Sequence, residues 1–334
     1  MSIPEINVCP GTLAEGFSSY SPVCLKNLFG GKKVSHILPF PSAGTSEEAT
    51  ELFIENRKRI SISGVQEKLS LILEKNRLRL TNPGENGTYI LKPIPRDIKK
   101  VEMVPANEHL TMQIARQVYN ISTAENALIF FEDGPAAYIT KRFDVRNDGS
   151  KRGKEDFASL AGKTTENAGD NFKYEYSYEE IGRLVQRFVP AWKVEIERYF
   201  ALVVFNYLFS NGDAHLKNFS LLETPNGDYI LSPAYDLVNT RLHVNDDDFA
   251  FNKGLFADDF KLEGYRSRLH PGKADFIEFG RRIGVIEPRI EKVLAPFLER
   301  QAAVETLINR SFLDDTSKRS YLMYYQQRRN ALNA

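Results

Sequence analysis

The sequence predicts an α+β fold with two lobes, in which a strand-rich N-lobe is followed by a helical C-lobe. In the first half, residues 68–73 and 77–81 alternate apolar and polar side chains as the strands of a hairpin do, and residues 88–92 resemble a third strand. Beyond about residue 150 the apolar spacing becomes helical, most clearly over residues 177–189 and 194–210. A chain of 334 residues can bury the cores of two such lobes.

The other predicted elements keep to this division. The first half contains predicted helices near residues 24–29 and over 107–120, and predicted strands over 124–131 and 136–143. Further helices are predicted over residues 276–283, 289–308 and 316–330, after a loop-rich segment at 212–255. Residues 1–50 are rich in Gly, Pro and Ser, so we predict a small N-terminal subdomain there, an N-lobe over 51–145 and a C-lobe over 146–334.

Charge and hydropathy argue against several classes of protein. Lys plus Arg (44) equals Asp plus Glu (44), so the chain has no overall positive field, and we expect no direct nucleic-acid partner. The longest apolar run, residues 199–209, is interrupted by Asn206 and is shorter than the roughly 20 residues of a membrane helix. The first residues lack the basic and apolar segments of a secretory signal. We therefore expect a cytoplasmic protein with no membrane partner.

The cysteine content argues against a structural zinc site. Cys9 and Cys24 have only His36 close by in the sequence, whereas a structural zinc ion takes four ligands. The sequence favours two reduced, packed thiols within the N-terminal subdomain.

The sharpest chemical pattern follows the predicted helix at 194–210. Asn211-Gly212 is a helix-ending signal, and it precedes Asp213, Lys217 and Asn218. Phosphoryl transfer uses a carboxylate that orients the attacking hydroxyl, an oxygen ligand for Mg²⁺ and a cation near the transferred group. Asp213 and Asn218 have the spacing of such a catalytic loop, with Lys217 as the cation. The alternative is an Asx-rich turn with no catalytic role.

Two charged residues elsewhere fit the same chemistry. Asp236 lies eighteen residues beyond Asn218, after a predicted strand pair at 219–222 and 228–231, where a second metal-binding carboxylate is expected. Lys92 ends a predicted strand and is placed to contact nucleotide phosphates, and Glu108 could pair with it. In isolation, Asp236 would be read as a turn residue and Lys92 as a solvated lysine.

Two segments are candidates for holding the nucleotide. Residues 61–68 read Ser-Ile-Ser-Gly-Val-Gln-Glu-Lys, and Gly64 permits close backbone approach while Ser63 and the neighbouring amides can bind phosphate oxygens. The single glycine matches neither common phosphate-loop pattern, so a surface β-turn is the alternative. Backbone groups of Lys141, Arg142 and Phe143 could bond the adenine edge, although an ordinary buried strand would read the same way.

Taken together, these segments resemble the HipA family of bacterial toxin kinases. The resemblance rests on residues 61–68, Tyr-Ile-Leu-Lys-Pro at 89–93, Asn-Glu-His at 107–109, Lys-Arg-Phe-Asp at 141–144, Glu-Asp-Phe at 155–157, Asn-Gly-Asp-Ala-His-Leu-Lys-Asn-Phe-Ser at 211–220 and Tyr-Asp at 235–236. They occur in the family's order over about residues 57–330. The resemblance implies a bilobal protein-kinase-like (HipA-like) fold.

The resemblance also implies an activity and a set of roles. HipA-like kinases transfer the γ-phosphate of Mg-ATP to a protein serine or threonine, and known members act on aminoacyl-tRNA synthetases. It assigns Asp213 as the catalytic base with Lys217 beside it, and Asn218 and Asp236 as metal ligands. The implied ATP-binding residues are Ser63, Gly64, Val65, Gln66, Glu67, Lys68, Lys92, Lys141, Arg142, Phe143, His215, Asn218, Tyr235 and Asp236. Ser61 and Ser63 are the implied autophosphorylation sites.

The chain departs from the family pattern in two ways, and the first bears on its partners. It is similar to the short HipT-like form, which lacks an N-terminal subdomain, so the implied partners are a HipB-like DNA-binding antitoxin and a small HipS-like protein. The family's His-Gln-Glu-Asp motif reads Gly-Lys-Glu-Asp at 153–156.

Two other functional classes remain open at this point. A small-molecule phosphotransferase would use a similar Asp-plus-Asn loop, although the loop at 61–68 favours a protein acceptor. A non-enzymatic binding module would commonly have lost Lys92, Asp213, Asn218 or Asp236.

Overall fold

The computed structural model describes residues 5–42, 67–95, 99–146 and 149–334. The chain divides into two compact units. Unit 1 contains the described residues of Met1–Gln113, Ala124–Ser150 and Thr306–Lys318, and unit 2 contains Ile114–Thr123, Lys151–Glu305 and Arg319–Ala334. The predicted mixture of strands and helices is confirmed. The predicted domain boundaries stay predictions.

Strands dominate the first part of the chain and helices the last. The strands are β1 Leu69–Glu74, β2 Arg77–Leu80, β3 Tyr89–Lys92, β4 Asn126–Phe130, β5 Ala136–Lys141, β6 Lys154–Asp156, β7 Ser220–Glu223 and β8 Tyr229–Leu231. The helices are α1 Pro22–Phe29, α2 Val104–Gln117, α3 Phe157–Leu160, α4 Thr165–Ala168, α5 Tyr178–Phe188, α6 Trp192–Leu208, α7 Glu263–Arg268, α8 Lys273–Arg282, α9 Glu287–Leu298, α10 Ala302–Arg310 and α11 Asp315–Asn333. Short 3₁₀ turns include Phe172–Tyr174 and Leu216–Asn218.

Unit 1 is built on a five-stranded antiparallel sheet with the strand order β2-β1-β3-β5-β4. The predicted hairpin is confirmed as the pair β1 and β2, and the predicted third strand pairs with the other side of β1. Leu91 lies opposite Leu69 on one neighbour and Ile139 on the other, and all three are buried in one core. Because side chains alternate along a strand, Lys92 points to the opposite face of the sheet.

Residues 5–42 pack against this sheet. Cys9, Tyr20 and Phe29 share a buried core with the strands. The Tyr20 hydroxyl donates to the Leu128 carbonyl at 2.7 Å, and Ile37 forms a parallel bridge with Phe130. Since β4 is an edge strand of the sheet, these bonds cover backbone groups that would otherwise be exposed at that edge.

Cys9 and Cys24 are free thiols that are both buried in this core. The Cys9 sulfur accepts amide hydrogen bonds from Gly11, Thr12 and Ser21. A hydrogen bond from Cys24 lowers the pKa of the Cys9 thiol to about 4, against the opposing effect of burial. A side chain at Gly11 would collide with the Cys24 sulfur, so the close packing of these segments requires glycine there.

Helix α2 contacts the N-terminal segment through one buried histidine. Nε2 of His109 donates to the Gly11 carbonyl at 3.2 Å, and the ring is only 1% exposed. Burial lowers the pKa of His109 to about 4, because a charged imidazolium cannot be hydrated there. His109 is therefore a neutral donor at physiological pH.

Helix α6 lies in the core of unit 2. Tyr199, Phe200 and Phe205 on this helix are fully buried, and the Phe200 ring stacks on Phe279 of α8 at 5.9 Å between centroids. Asn206, the polar residue within the apolar run, is also buried. Among the described residues, no helix is both long enough and apolar enough to cross a membrane.

The predicted helix at 289–308 is wrong as a single element. It is two helices, α9 and α10, with Glu299 in an extended conformation at the end of the first. Pro296 lies in the last turn of α9 and has no N–H to donate. The Gln301 side chain then donates to the Pro296 carbonyl at 2.9 Å, which satisfies a carbonyl that a continuous helix would have used.

The buried His109 predicts a specific dependence of stability on pH. The unfolded chain takes up a proton near pH 6.5, whereas folded His109 resists protonation until about pH 4. Its contribution is therefore complete above pH 6.5 and is lost as the pH falls toward 4, by about 3 kcal/mol. His109→Gln keeps a donor near the Gly11 carbonyl without the titration. Urea unfolding followed by circular dichroism at pH 7 and pH 5 should show a smaller loss for the variant, and equal losses in both proteins would contradict this account.

Candidate active site

The loop that carries Asp213 is attached to the end of helix α6. The buried Asn206 accepts a hydrogen bond from the Asn211 side chain at 3.0 Å through its own side-chain oxygen, and its backbone carbonyl accepts the Asn211 amide at 2.8 Å. Ser210 has a left-handed backbone, with φ of 53°, which turns the chain sharply after the helix. The asparagine that interrupts the apolar run thus anchors the loop.

Two further residues hold the loop from other parts of unit 2. The Thr240 hydroxyl donates to the Ser210 carbonyl and accepts the Gly212 amide, both at 2.9 Å. The buried Tyr178 donates from its hydroxyl to the Ala214 carbonyl at 3.0 Å. These contacts fix the backbone on both sides of Asp213 without using its carboxylate.

The Asp213 carboxylate lies at the surface of this fixed loop. Half of its side chain is exposed, and its Oδ1 accepts a hydrogen bond from the Tyr174 hydroxyl at 2.8 Å. Burial of its surroundings raises the pKa of Asp213, and the charge of Asp236 acts in the same direction. The Tyr174 hydrogen bond and the charge of Lys173 oppose the rise. A carboxylate with a raised pKa is a better proton acceptor than an ordinary aspartate.

His215 is buried beside Asp213. Its Nε2 lies 3.9 Å from Oδ1 of Asp213, and its Nδ1 has no hydrogen-bond partner among the described residues. Burial lowers the pKa of His215 to about 3, and the charge of Lys173 acts in the same direction. The ring is therefore neutral, so it can contact a nucleotide as a polar group but does not add positive charge.

The predicted metal ligands Asn218 and Asp236 lie together in unit 2. The Asn218 side-chain nitrogen donates to Oδ2 of Asp236 at 3.4 Å, while its oxygen accepts the His215 amide at 3.2 Å. Asp236 has a φ of 56°, a conformation that is costly for residues other than glycine and that is found at functional sites.

The chemistry of this pair fits Mg²⁺. Magnesium binds one or two protein oxygen ligands and completes its shell with water and substrate phosphates. The amide of Asn218 and the carboxylate of Asp236 are ligands of that kind. An amide oxygen and a carboxylate suit Mg²⁺ better than zinc, which favours thiolate and imidazole ligands.

Tyr235 and Lys217 flank the pair. The Tyr235 hydroxyl donates to the Lys217 carbonyl at 2.9 Å and makes a short hydrogen bond with the Ser220 hydroxyl. The Lys217 ammonium lies over the Phe172 ring, 5.1 Å from its centroid. The backbone position of Lys217 is thus fixed by Tyr235, while its charge lies beside the turn Phe172–Tyr174.

The predicted pairing of Lys92 with Glu108 is confirmed. Lys92 Nζ lies 2.6 Å from Glu108 Oε1, and each side chain is only 4% exposed. The ammonium also lies 5.3 Å from the centroid of the Tyr138 ring, which is opposite Lys92 on β5. A buried lysine in this geometry has a defined position, because leaving the ion pair would expose an uncompensated charge.

The other predicted nucleotide contacts stay predictions. The amides of Lys141 and Arg142 donate to the carbonyls of Glu125 and Thr88 at 2.8 and 2.9 Å, so these two N–H groups are already used within the protein. Glu67 and Lys68 precede β1 as partly buried residues. Phe143 follows β5 as a partly buried residue. The predicted positions Ser61, Ser63, Gly64, Val65 and Gln66 lie outside the described residues.

Four residues near the loop were missed by the sequence predictions: Tyr174, Tyr178, Asn206 and Thr240. Each contacts the loop through a hydrogen bond. The two tyrosines and the threonine are 28 to 39 residues away in sequence from their partners in the loop. Asn206 alone left a signal, as the polar interruption of an apolar helix. The others belong to no recurring pattern.

A comparison with protein-family models identifies the region that contains these residues. The model described as HipA-like C-terminal domain matches residues 60–305. The chain belongs to the HipA-like family. The resemblance seen in the sequence motifs is thereby confirmed.

Relatives of this HipA-like chain carry kinase names. A Haemophilus influenzae protein named "Putative kinase" is 27% identical over the whole of this chain and 98% of its own length. The serine/threonine-protein kinase toxin HipA of Shewanella oneidensis is 27% identical over 61% of this chain and 48% of the toxin. The chain thus spans nearly all of the first relative and about half of the second.

Solved structures show the same fold. HipA of Shewanella oneidensis, solved in complex with HipB and operator DNA, has a TM-score of 0.62 at 21% identity, covering 88% of this chain and 71% of HipA. The predicted protein-kinase-like, HipA-like fold is confirmed.

The buried ion pair of this HipA-like chain predicts strong coupling between Lys92 and Glu108. Lys92→Met or Glu108→Leu alone should cost about 3 kcal/mol or more, because each removes the ion-pair partner of a buried charge. The double variant should cost less than the sum of the two, since it removes both charges of the pair together. Urea unfolding of the four proteins measures this coupling. Glu85→Gln, in the partly exposed pair with Arg79, is the matched control and should change unfolding little. Additive losses in the double variant would show that the pair is not coupled.

Proposed function

We propose that this chain is a serine/threonine protein kinase toxin of a type II toxin–antitoxin system. It transfers the γ-phosphate of ATP to a hydroxyl of a protein, with an aminoacyl-tRNA synthetase as the candidate target class. The kinase names of its relatives and the HipA-like fold support a kinase in general terms. The resemblance of the sequence motifs supports the narrower proposal.

The observation that carries the proposal is the hydrogen bond between Asp213 and a hydroxyl group. The carboxylate projects from a loop that is fixed on both sides, and it already holds the Tyr174 hydroxyl at 2.8 Å. A catalytic base in phosphoryl transfer must hold the acceptor hydroxyl in the same way. Asn218 and Asp236 lie in the same unit and are the ligands that would hold Mg²⁺.

Each remaining residue has a proposed role in this reaction. Asp213 orients the acceptor hydroxyl and takes its proton, while Lys217 offsets charge on the transferred group. Lys92, held by Glu108, binds nucleotide phosphates. When bound, Mg²⁺ would supply charge neutralisation of the phosphates. Ser61 and Ser63 are the proposed sites of autophosphorylation.

The proposed partners follow from the relatives. HipA of Shewanella oneidensis was solved with HipB and operator DNA. We propose that a HipB-like antitoxin binds this chain and makes the contact with DNA. A small HipS-like protein is the second proposed partner, on the basis of the resemblance to the HipT-like form.

Asp213→Asn tests the proposed chemistry. The variant keeps the shape of the side chain but cannot accept a proton, so phosphoryl transfer should fall by about 100-fold or more. Intact-mass analysis after incubation with Mg-ATP should find phosphate on the wild type and on Asp259→Asn, an exposed aspartate used as the control. Peptide mapping should place this phosphate on Ser61, Ser63 or both. Equal phosphate on Asp213→Asn would remove Asp213 from the mechanism.

Asp236→Asn tests the proposed metal site. Asparagine adopts a positive φ readily, so the backbone at this position should be preserved. With one charge fewer, the variant should need a higher Mg²⁺ concentration for half-maximal phosphorylation, by about tenfold or more. A titration of activity against Mg²⁺ at fixed ATP measures this shift. An unchanged Mg²⁺ requirement would assign Asp236 a different role.

A further inference from the structure

The hydroxyl that donates to Asp213 belongs to Tyr174, a residue that the proposed mechanism does not use. Tyr174 ends the turn Phe172–Tyr174, which lies against the turn Leu216–Asn218 of the Asp213 loop. Its hydroxyl donates to Oδ1 of Asp213 at 2.8 Å. The tyrosine is 39 residues away in sequence, so folding of unit 2 creates this contact.

Packing holds the tyrosine in this position. The Tyr174 ring meets the His215 ring edge-on at 5.2 Å between centroids. Phe172 is buried, and Lys217 lies over its ring at 5.1 Å. Tyr174 itself remains partly exposed. The turn is therefore fixed on the loop by aromatic and cation–π contacts.

The phenol is a stable donor in this environment. Burial raises the pKa of Tyr174, and the negative charge of Asp213 raises it further. The hydroxyl therefore stays protonated and continues to donate to the carboxylate. The carboxylate oxygen it occupies is one that a water molecule would otherwise use.

We propose that Tyr174 determines which acceptor reacts at Asp213. Its phenol occupies a carboxylate oxygen that a single water molecule would have to take, whereas a protein hydroxyl displaces the phenol with binding energy from the rest of its docked chain. The inference rests on the proposed function. In the competing reaction with water, the water oxygen forms a bond to the γ-phosphorus, the bond from that phosphorus to the β–γ bridging oxygen breaks, ADP leaves and Asp213 takes the proton. A hydrogen bond to a charged group favours the state in which the Tyr174 phenol is bound to the Asp213 carboxylate by about ten- to a hundredfold.

Tyr174→Phe removes the phenol oxygen and keeps the ring that packs on His215. Purified full-length protein with Mg-ATP and no added acceptor should release inorganic phosphate about tenfold faster than the wild type. Tyr176→Phe is the matched control, because Tyr176 is two residues along and packs edge-on against Phe251 instead. Autophosphorylation, measured by intact mass in the same samples, gives the share of ATP that reaches a protein hydroxyl.

The outcomes separate this inference from the proposed function. Faster phosphate release in Tyr174→Phe alone, with a smaller share of phosphate on the protein, supports the assignment. Equal release in all three proteins overturns it, and slower release in Tyr174→Phe also overturns it, since the phenol would then position the base. If no protein releases phosphate or becomes phosphorylated, the proposed function fails and the inference fails with it. Asp213→Asn gives the background for both measurements.

Discussion

The buried ion pair between Lys92 and Glu108 is the constraint on which unit 1 depends. With both side chains about 4% exposed, neither charge can be removed from the other without a large cost. The pair therefore fixes the end of β3 relative to helix α2. One residue further along α2, His109 fixes the helix to the Gly11 carbonyl. Lys92 thus has its position set by three segments that are far apart in the sequence.

Unit 2 positions its charged groups by a different principle. The backbone around Asp213 is held by neutral groups, namely the amide of Asn206 and the hydroxyls of Thr240 and Tyr178. These neutral hydrogen bonds fix the backbone on both sides of Asp213 without using its carboxylate. Burial is the leading cause of the raised pKa of Asp213.

The sequence was sufficient for features that depend on local periodicity. The alternation in β1 and β2 and the spacing in α5 and α6 predicted these elements, because each buries one face or one stripe of side chains. The ion pair between Lys92 and Glu108 was also predictable, since a strand-end lysine and the next helix are close in chain order. A continuous helix over residues 289–308 was wrong, because Pro296 and the extended Glu299 end α9 there. The contact between Tyr174 and Asp213 could not be predicted, since it joins two irregular segments that only tertiary packing brings together.

The contact between Gly11 and His109 has a mechanical consequence for Lys92. Residues 5–42 share a core with the sheet, and His109 is the direct neighbour of Glu108 in helix α2. A displacement of this segment would therefore pass through helix α2 to the lysine that Glu108 holds.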